Sequence, residues 1–155
     1  MAIAGNMLAK PDDVPDLVRI INAAYEVEKF FVSGDRTDAA TVQRLMTTGA
    51  FVVTRDEGGL SGCVYVERRG PRGYFGMLAV DPSRQRSGLG RRLIGLAEQY
   101  VRDHGGSAMD IRVVNLRTEL PPFYRTLGYA ETGVEPVSDP RAIRPFHFIV
   151  MSKPL

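Results

Sequence analysis

Apolar residues change their spacing several times along the chain, and each change marks an element. Val14, Leu17, Val18, Ile21, Ala24 and Tyr25 recur at helical intervals, the pattern of a helix that buries one face. Pro11-Asp12-Asp13 just before them reads as a helix start, with carboxylates where the helix dipole favours them. A second helix is expected over 38–48, closed by Gly49 in the left-handed conformation. The period then shortens. Strands are predicted over 51–55 and 60–67, joined by the turn Asp56-Glu57-Gly58-Gly59, and a third over 73–80 after a turn containing Gly70 and Pro71. Residues 3–9 are expected as a short first strand.

Helical spacing returns with Leu89, Leu93, Leu96, Ala97 and Tyr100, giving a helix that runs to about 103 and stops at His104-Gly105-Gly106. A strand over 109–115, a short helix over 122–127 stopped by Gly128, and strands over 129–132 and 146–151 complete the order. A strand-helix-strand crossover is right-handed and leaves its two strands parallel. The fold class is therefore α/β, a mixed, mostly antiparallel sheet with a central parallel strand pair flanked by helices. No repeat or linker divides the sequence, so residues 1–155 are expected to form a single domain, a size that buries roughly 68–70% of the unfolded surface.

Composition narrows the function. Twenty Lys plus Arg against eighteen Asp plus Glu leave a net charge of +2, too weak a field for a dedicated nucleic-acid binder. Cys63 is the only cysteine and the two histidines are distant, which excludes an internal disulfide and any metal-ligand spacing. Within its apolar run Cys63 reads as a buried small side chain. Neither a leader pattern over residues 1–9 nor a run of ~20 apolar residues is present, so the expected location is the cytoplasm, away from the membrane.

Chemistry concentrates in Gln85-Arg86-Ser87-Gly88-Leu89-Gly90, between the third strand and the helix that follows. Glycines there let backbone approach a ligand, and the unpaired amides of a helix start face an anion such as pyrophosphate. Arg86, Arg91 and Arg92 add charge-assisted donors. Alone, the loop reads equally as a tight turn with a solvated basic face. It is no P-loop, since no Gly-Lys-Ser/Thr follows, and Leu93 occupies the third glycine position of a dinucleotide fingerprint. Asp110 has the spacing of a ribose-binding acid but begins a strand instead of ending one.

Leu78-Ala79-Val80-Asp81-Pro82, then Gln85-x-x-Gly88-x-Gly90 and Arg91-Arg92-Leu93, resemble the acetyl-CoA-binding motif of the GNAT N-acetyltransferases. Asn115, followed by Phe123-Tyr124-Arg125-Thr126-Leu127-Gly128-Tyr129, is similar to that superfamily's next strand and helix. The resemblance covers nearly the whole chain. It implies a sheet splayed between the strands ending at Val80 and Asn115, with the pantetheine of acetyl-CoA in the gap. Met77, Leu78, Ala79 and Val80 would then pair with its amides. Gln85, Arg86, Ser87, Gly88, Leu89, Gly90 and Arg91 would hold the pyrophosphate, and Asn115, Phe123 and Tyr124 would complete the cosubstrate site. Tyr124 matches the superfamily's usual tyrosine, which implies the acid that protonates the departing thiolate; from the residues alone it is also a packing partner of Phe123.

No Asp, Glu or His lies in 73–80, where many relatives carry a carboxylate. The base is therefore open, with Glu28, Glu67, Glu119 and His147 as candidates acting through water. Substrate recognition is expected from 26–37, including Phe30 and Phe31, and from the Pro-rich loop 135–145; a core aromatic pair followed by a helix cap is the other reading of the first segment. The implied activity is transfer of an acetyl group from acetyl-CoA to a primary amine of a small molecule, peptide or protein, by direct attack in a ternary complex. The resemblance also carries an expectation of a homodimer. The rival readings are an acyl-CoA-binding or sensing module of the same fold, and a nucleic-acid-associated protein using the basic cluster 84–92, which predicts salt-sensitive binding and indifference to CoA.

Overall fold

A 3-10 turn, Pro11–Asp13, feeds the first helix, α1 (Val14–Ala24), in the computed structural model, which describes residues 3–84 and 88–155. Asp13 accepts a hydrogen bond from the Lys10 amide at 2.8 Å and pairs with Arg55, which holds its carboxyl below the usual range. Val14, Leu17, Ile20 and Ile21 form the buried stripe of α1, as the spacing requires. In α2 (Ala39–Thr48), Asp38 caps the helix by accepting from the Thr41 amide at 2.8 Å.

Gly49 ends α2 in an extended conformation, φ −145°, instead of the left-handed one expected. Its necessity lies in close approach: a Cβ there would meet the Val66 carbonyl oxygen at 2.4 Å. The expected strand over 3–9 is also absent. Gly5–Met7 form a 3-10 turn, and only Leu8 bridges to Val52. Gly5 and Asn6 favour a turn over extended pairing, so the segment caps the sheet edge without joining it.

β1 (Ala50–Asp56), β2 (Gly59–Arg69) and β3 (Arg72–Val80) form the antiparallel meander. After α3 (Leu89–Asp103) come β4 (Ala108–Val114), α4 (Leu120–Thr126), β5 (Ala130–Pro136) and β6 (His147–Pro154). The strand order is β1-β2-β3-β4-β6-β5, with β3 and β4 the parallel pair and all other pairs antiparallel. β5 reaches Pro136, beyond the expected end, because its pairing with β6 overrides the weak strand preference of Gly133 and Glu135.

Each face of the sheet carries its own core. Leu93, Ile94, Ala97 and Val101 of α3 cover Val64, Val66, Phe75, Met109 and Ile111 on one face. On the other, α1 and α2 cover Phe51, Val53, Cys63, Tyr65 and Met77. Glu98 is buried on α3, yet it accepts from the Tyr129 hydroxyl at 2.7 Å and from Lys153 Nζ at 3.0 Å. A buried carboxylate persists only with such partners, and these tie the crossover helix to the C-terminal half of the chain.

Gly49→Ala forces backbone apart at the α2–β2 contact and is expected to destabilise the fold by about 1–3 kcal/mol. Denaturant unfolding checks this; an unchanged midpoint would show that the contact yields without cost.

Candidate functional site

The parallel ladder between β3 and β4 contains only two residue pairs, Gly73↔Met109 and Tyr74↔Asp110. At that end the seam is locked: Arg72 donates twice to Asp110 at 2.7 Å, and Ser152 of β6 donates to the same carboxylate. Asp110 is thus a structural clasp and no ribose ligand. Beyond Tyr74 the strands diverge, and the β3 backbone toward Val80 has no β4 partner.

A bulge in β3 reinforces the divergence. The register with β2 shifts between Cys63↔Ala79 and Tyr65↔Gly76, inserting one extra residue opposite Val64, and Met77 takes a left-handed φ of 50°. The Met77 carbonyl accepts from the Cys63 thiol at 3.8 Å. Burial pushes that thiol up to about 12, so it stays neutral and acts as a donor. The expectation of a buried structural cysteine holds.

A cleft of about 540 Å³ occupies the gap. Met77, Leu78, Ala79 and Val80 line one wall, and the β4 residues 111–114 line the other. At one end stand Gly88, Leu89 and Gly90, with Gly88 at φ +76° opening α3. The first-turn amides of a helix have no intrahelical acceptor. Gln85, Arg86 and Ser87, expected at the pyrophosphate, lie outside the described residues. The preceding turn is pinned by Arg84, which donates to Asp81 and Asp56 at 2.8 Å each. That anchoring removes Arg84 from the basic cluster considered for nucleic acid. The Arg91 side chain lies over the Phe123 ring at 5.2 Å and does not line the cleft, whereas Phe123 does. A strand edge with unpaired amides, leading to a helix start, suits a chain-like ligand with amide groups along it and an anion at its end.

Tyr124, on α4, lines this cleft. Only 7% exposed, it packs on Phe123, Tyr129 and Phe75 with ring centroids 5.2, 5.9 and 6.2 Å away. Burial pushes its phenol up to about 12, with the charge of Arg117 opposing. Among the described residues its hydroxyl has no hydrogen-bond partner. Packing and availability as a proton donor therefore coincide in one side chain. Asn115 does not line the cleft as expected: β4 ends at Val114, and the Asn115 side chain accepts from the His147 amide at 2.8 Å, fixing the start of β6.

The other end of the cleft is built by the segment after α1. Glu28, on the 3-10 turn Tyr25–Glu28, lines it and pairs with Arg117 at 3.0 Å. Burial raises the Glu28 pKa, opposed by Arg117. The other base candidates fall elsewhere. Glu67 accepts from Tyr65 and Arg69 at 3.0 Å, while Glu119 is held by Arg117 at 3.0 Å, and neither it nor the exposed His147 borders the cleft. Phe31 is buried at the cleft wall, but Phe30 is 44% exposed outside it, contacting Phe31 edge-on at 4.8 Å. Loop 137–146 docks against this end and lines it with Val137, Asp139, Arg141 and Phe146. Ser33 donates to the Arg141 carbonyl at 2.9 Å, Ile143 donates to the Phe31 carbonyl at 2.8 Å, and Val32 bridges Ala142. The cleft residues Tyr74 and Arg117 were not singled out from the sequence, because no local motif marks them, whereas Asp139 and Arg141 lie in the loop 135–145 expected to recognise substrate.

No described helix is long and apolar enough to cross a membrane, and no described group of three His, Cys, Asp or Glu could hold a metal ion. Residues 21–145 match a family model described as the acetyltransferase (GNAT) domain. No curated protein matches the sequence. Solved structures do share the fold. The ribosomal-protein-S18-alanine N-acetyltransferase of Escherichia coli aligns with a TM-score of 0.78 at 18% identity, covering 95% of this chain and 90% of that one. The ribosomal-protein-alanine N-acetyltransferase of Brucella melitensis gives 0.77 at 19% identity, covering 96% and 98%. A GNAT family acetyltransferase of Elizabethkingia anophelis, solved with acetyl-CoA bound, gives 0.65 at 16% identity, covering 76% and 84%. With the family model spanning most of the chain and the sheet opening where the motif residues meet, this protein belongs to the GNAT acetyltransferase family, whose acyl donor is acetyl-CoA.

Proposed function

We propose that this chain transfers the acetyl group of acetyl-CoA to a primary amine by direct attack in a ternary complex. One observation carries the reading: the Tyr124 hydroxyl, protonated and without a hydrogen-bond partner among the described residues, stands in the cleft where β3 and β4 part. Bound acetyl-CoA supplies an activated thioester carbonyl and a thiolate leaving group. The β3 edge, Met77 to Val80, orients it through backbone groups left unpaired by the splay, and the helix start at Gly88 to Gly90 holds its phosphates. Phe31 and Phe123 give the cleft part of its apolar wall.

Tyr124 donates its phenolic proton to the departing sulfur. A phenol is protonated at neutral pH even at its ordinary value, burial raises it further, and the hydroxyl is regenerated from solvent after release. The attacking amine must first be neutral. It sheds one proton to solvent; the second, lost from nitrogen as the C–N bond forms and the C–S bond breaks, passes through a water to the Glu28 carboxylate oxygen that Arg117 does not hold, and from there to solvent. The acceptor is a small molecule, peptide or protein amine, and the protein is expected in the cytoplasm.

Calorimetric titration with acetyl-CoA, with NAD and ATP as controls, should show selective micromolar binding; no heat at millimolar ligand would overturn the assignment. Tyr124→Phe should lower kcat by ~10² or more while leaving acetyl-CoA affinity nearly intact. Normal turnover in that variant would remove Tyr124 from the chemistry, and binding without any acceptor or effect of the variant would indicate a sensing module. Because burial raises the folded Glu28 pKa, kcat/KM should fall as the pH drops through a value above the ordinary carboxylate range. Glu28→Gln should abolish this acidic limb in the pH–rate profile, leaving only the rise due to the amine's own ionisation.

A further inference from the structure

The acceptor end of the cleft is unevenly charged. Its two carboxylates are both neutralised: Glu28 by Arg117 at 3.0 Å, and Asp139 by Arg141 at 3.3 Å. Arg112, on the β4 wall, is matched by Glu135 at 3.0 Å. Arg36 is different. It lines the same cleft and is half-buried, and no carboxylate among the described residues comes within ion-pair distance of it. Its guanidinium rests against the Tyr25 ring, 5.3 Å from the centroid. Its field reaches both carboxylates without touching either: it opposes the rise that burial imposes on Glu28, and it adds to the lowering of Asp139 that the Arg141 hydrogen bonds cause.

An arginine in this setting offers a planar fork of donors suited to a carboxylate, and stacking on an aromatic face fixes its orientation in advance. Its position is also held from behind. Arg141 donates to the carbonyl of the adjacent Asp35 at 2.8 Å, so loop 137–146 braces the segment that carries Arg36. The same docking adds Val137, Asp139, Arg141 and Phe146 to the walls of the acceptor end, which surrounds a compact acceptor with contacts on several sides. Glu28 lies in the same chamber.

We infer that the acceptor is a small amine that also carries a carboxylate, of the amino-acid type, with Arg36 binding the carboxylate while the amine lies on the Glu28 side. The inference rests on reading the cleft as an acetyl-transfer site. Arg36 is a specificity residue and touches no reacting atom. Losing it should weaken binding of substrate and transition state alike, raising KM and sparing kcat. A hydrogen bond to a charged partner contributes roughly 1.5–3 kcal/mol, which corresponds to a rise in KM of about 10-fold or more.

The test uses the full chain and acetyl-CoA, with the free L-amino acids and their amides as matched acceptors, following release of the CoA thiol. Acetyl-CoA affinity is measured by calorimetry in parallel for every variant. Amino acids should be acetylated about 10-fold or more efficiently than their amides. Arg36→Gln should erase that preference through KM, and Arg36→Lys should restore part of it, with acetyl-CoA affinity unchanged in both. Equal use of amides, an unaltered preference in Arg36→Gln, or silence of the whole panel in a protein that binds acetyl-CoA would overturn the inference alone. Failure to bind acetyl-CoA would instead overturn the underlying reading.

Discussion

The function of this molecule depends on a hydrogen-bond ladder that stops after two residue pairs. A strand in the middle of a sheet ordinarily satisfies its amides and carbonyls on both sides, and a buried backbone group left unpaired costs about 1–3 kcal/mol. On the side facing β4, β3 departs from this rule beyond Tyr74. The gap is tolerable because it forms a cleft open to water and to a ligand that can replace the missing partner. The left-handed Met77 sits within the same stretch, a conformation that costs of order 1–3 kcal/mol. Packing of its side chain in the α1–α2 core, together with the Cys63 contact to its carbonyl, holds it there.

Such an opening would weaken a sheet that was not fastened elsewhere. Arg72, Asp110 and Ser152 clasp β3, β4 and β6 at the closed end of the seam. Glu98, Tyr129 and Lys153 join α3 to the last two strands across the crossover. Glu98 is buried, so its pairing must be complete to be tolerated, whereas the more exposed Arg72–Asp110 pair acts through its two parallel hydrogen bonds. The sheet can therefore part on one side of Tyr74 and remain closed on the other.

Tyr124 illustrates how packing and chemistry share one side chain. The ring belongs to the aromatic cluster with Phe75 and Tyr129, so the burial that stabilises the helix α4 against the sheet also raises the phenol further above neutrality. At the opposite end, Glu28 and Arg117 come from segments far apart in sequence and meet only because both border the splay. The acceptor chamber is thus assembled from loops, and its charge pattern is a property of their docking.

Periodicity alone determined most of the element order, because amphipathic spacing reports local burial directly: α1, α2, the β1–β3 meander and α3 all fall close to where their apolar spacing put them. The glycine-rich helix entrance around Gly88 and Gly90 is written in contiguous residues, and Tyr124 was picked out through its resemblance to the GNAT helix segment; all three border the cleft. Tertiary structure decided the rest. The extended Gly49, the missing strand over 3–9 and the length of β5 follow from which neighbours the chain meets, and no local pattern encodes those. Asn115 and Phe30 were placed in the site by sequence position, yet a side chain's direction depends on the turn that carries it: one holds β6, the other faces solvent. Arg36, Asp139 and Arg141 lie in the segments 26–37 and 135–145 expected to recognise substrate, but which of them is paired is an electrostatic balance among distant segments and is set only when the loops dock.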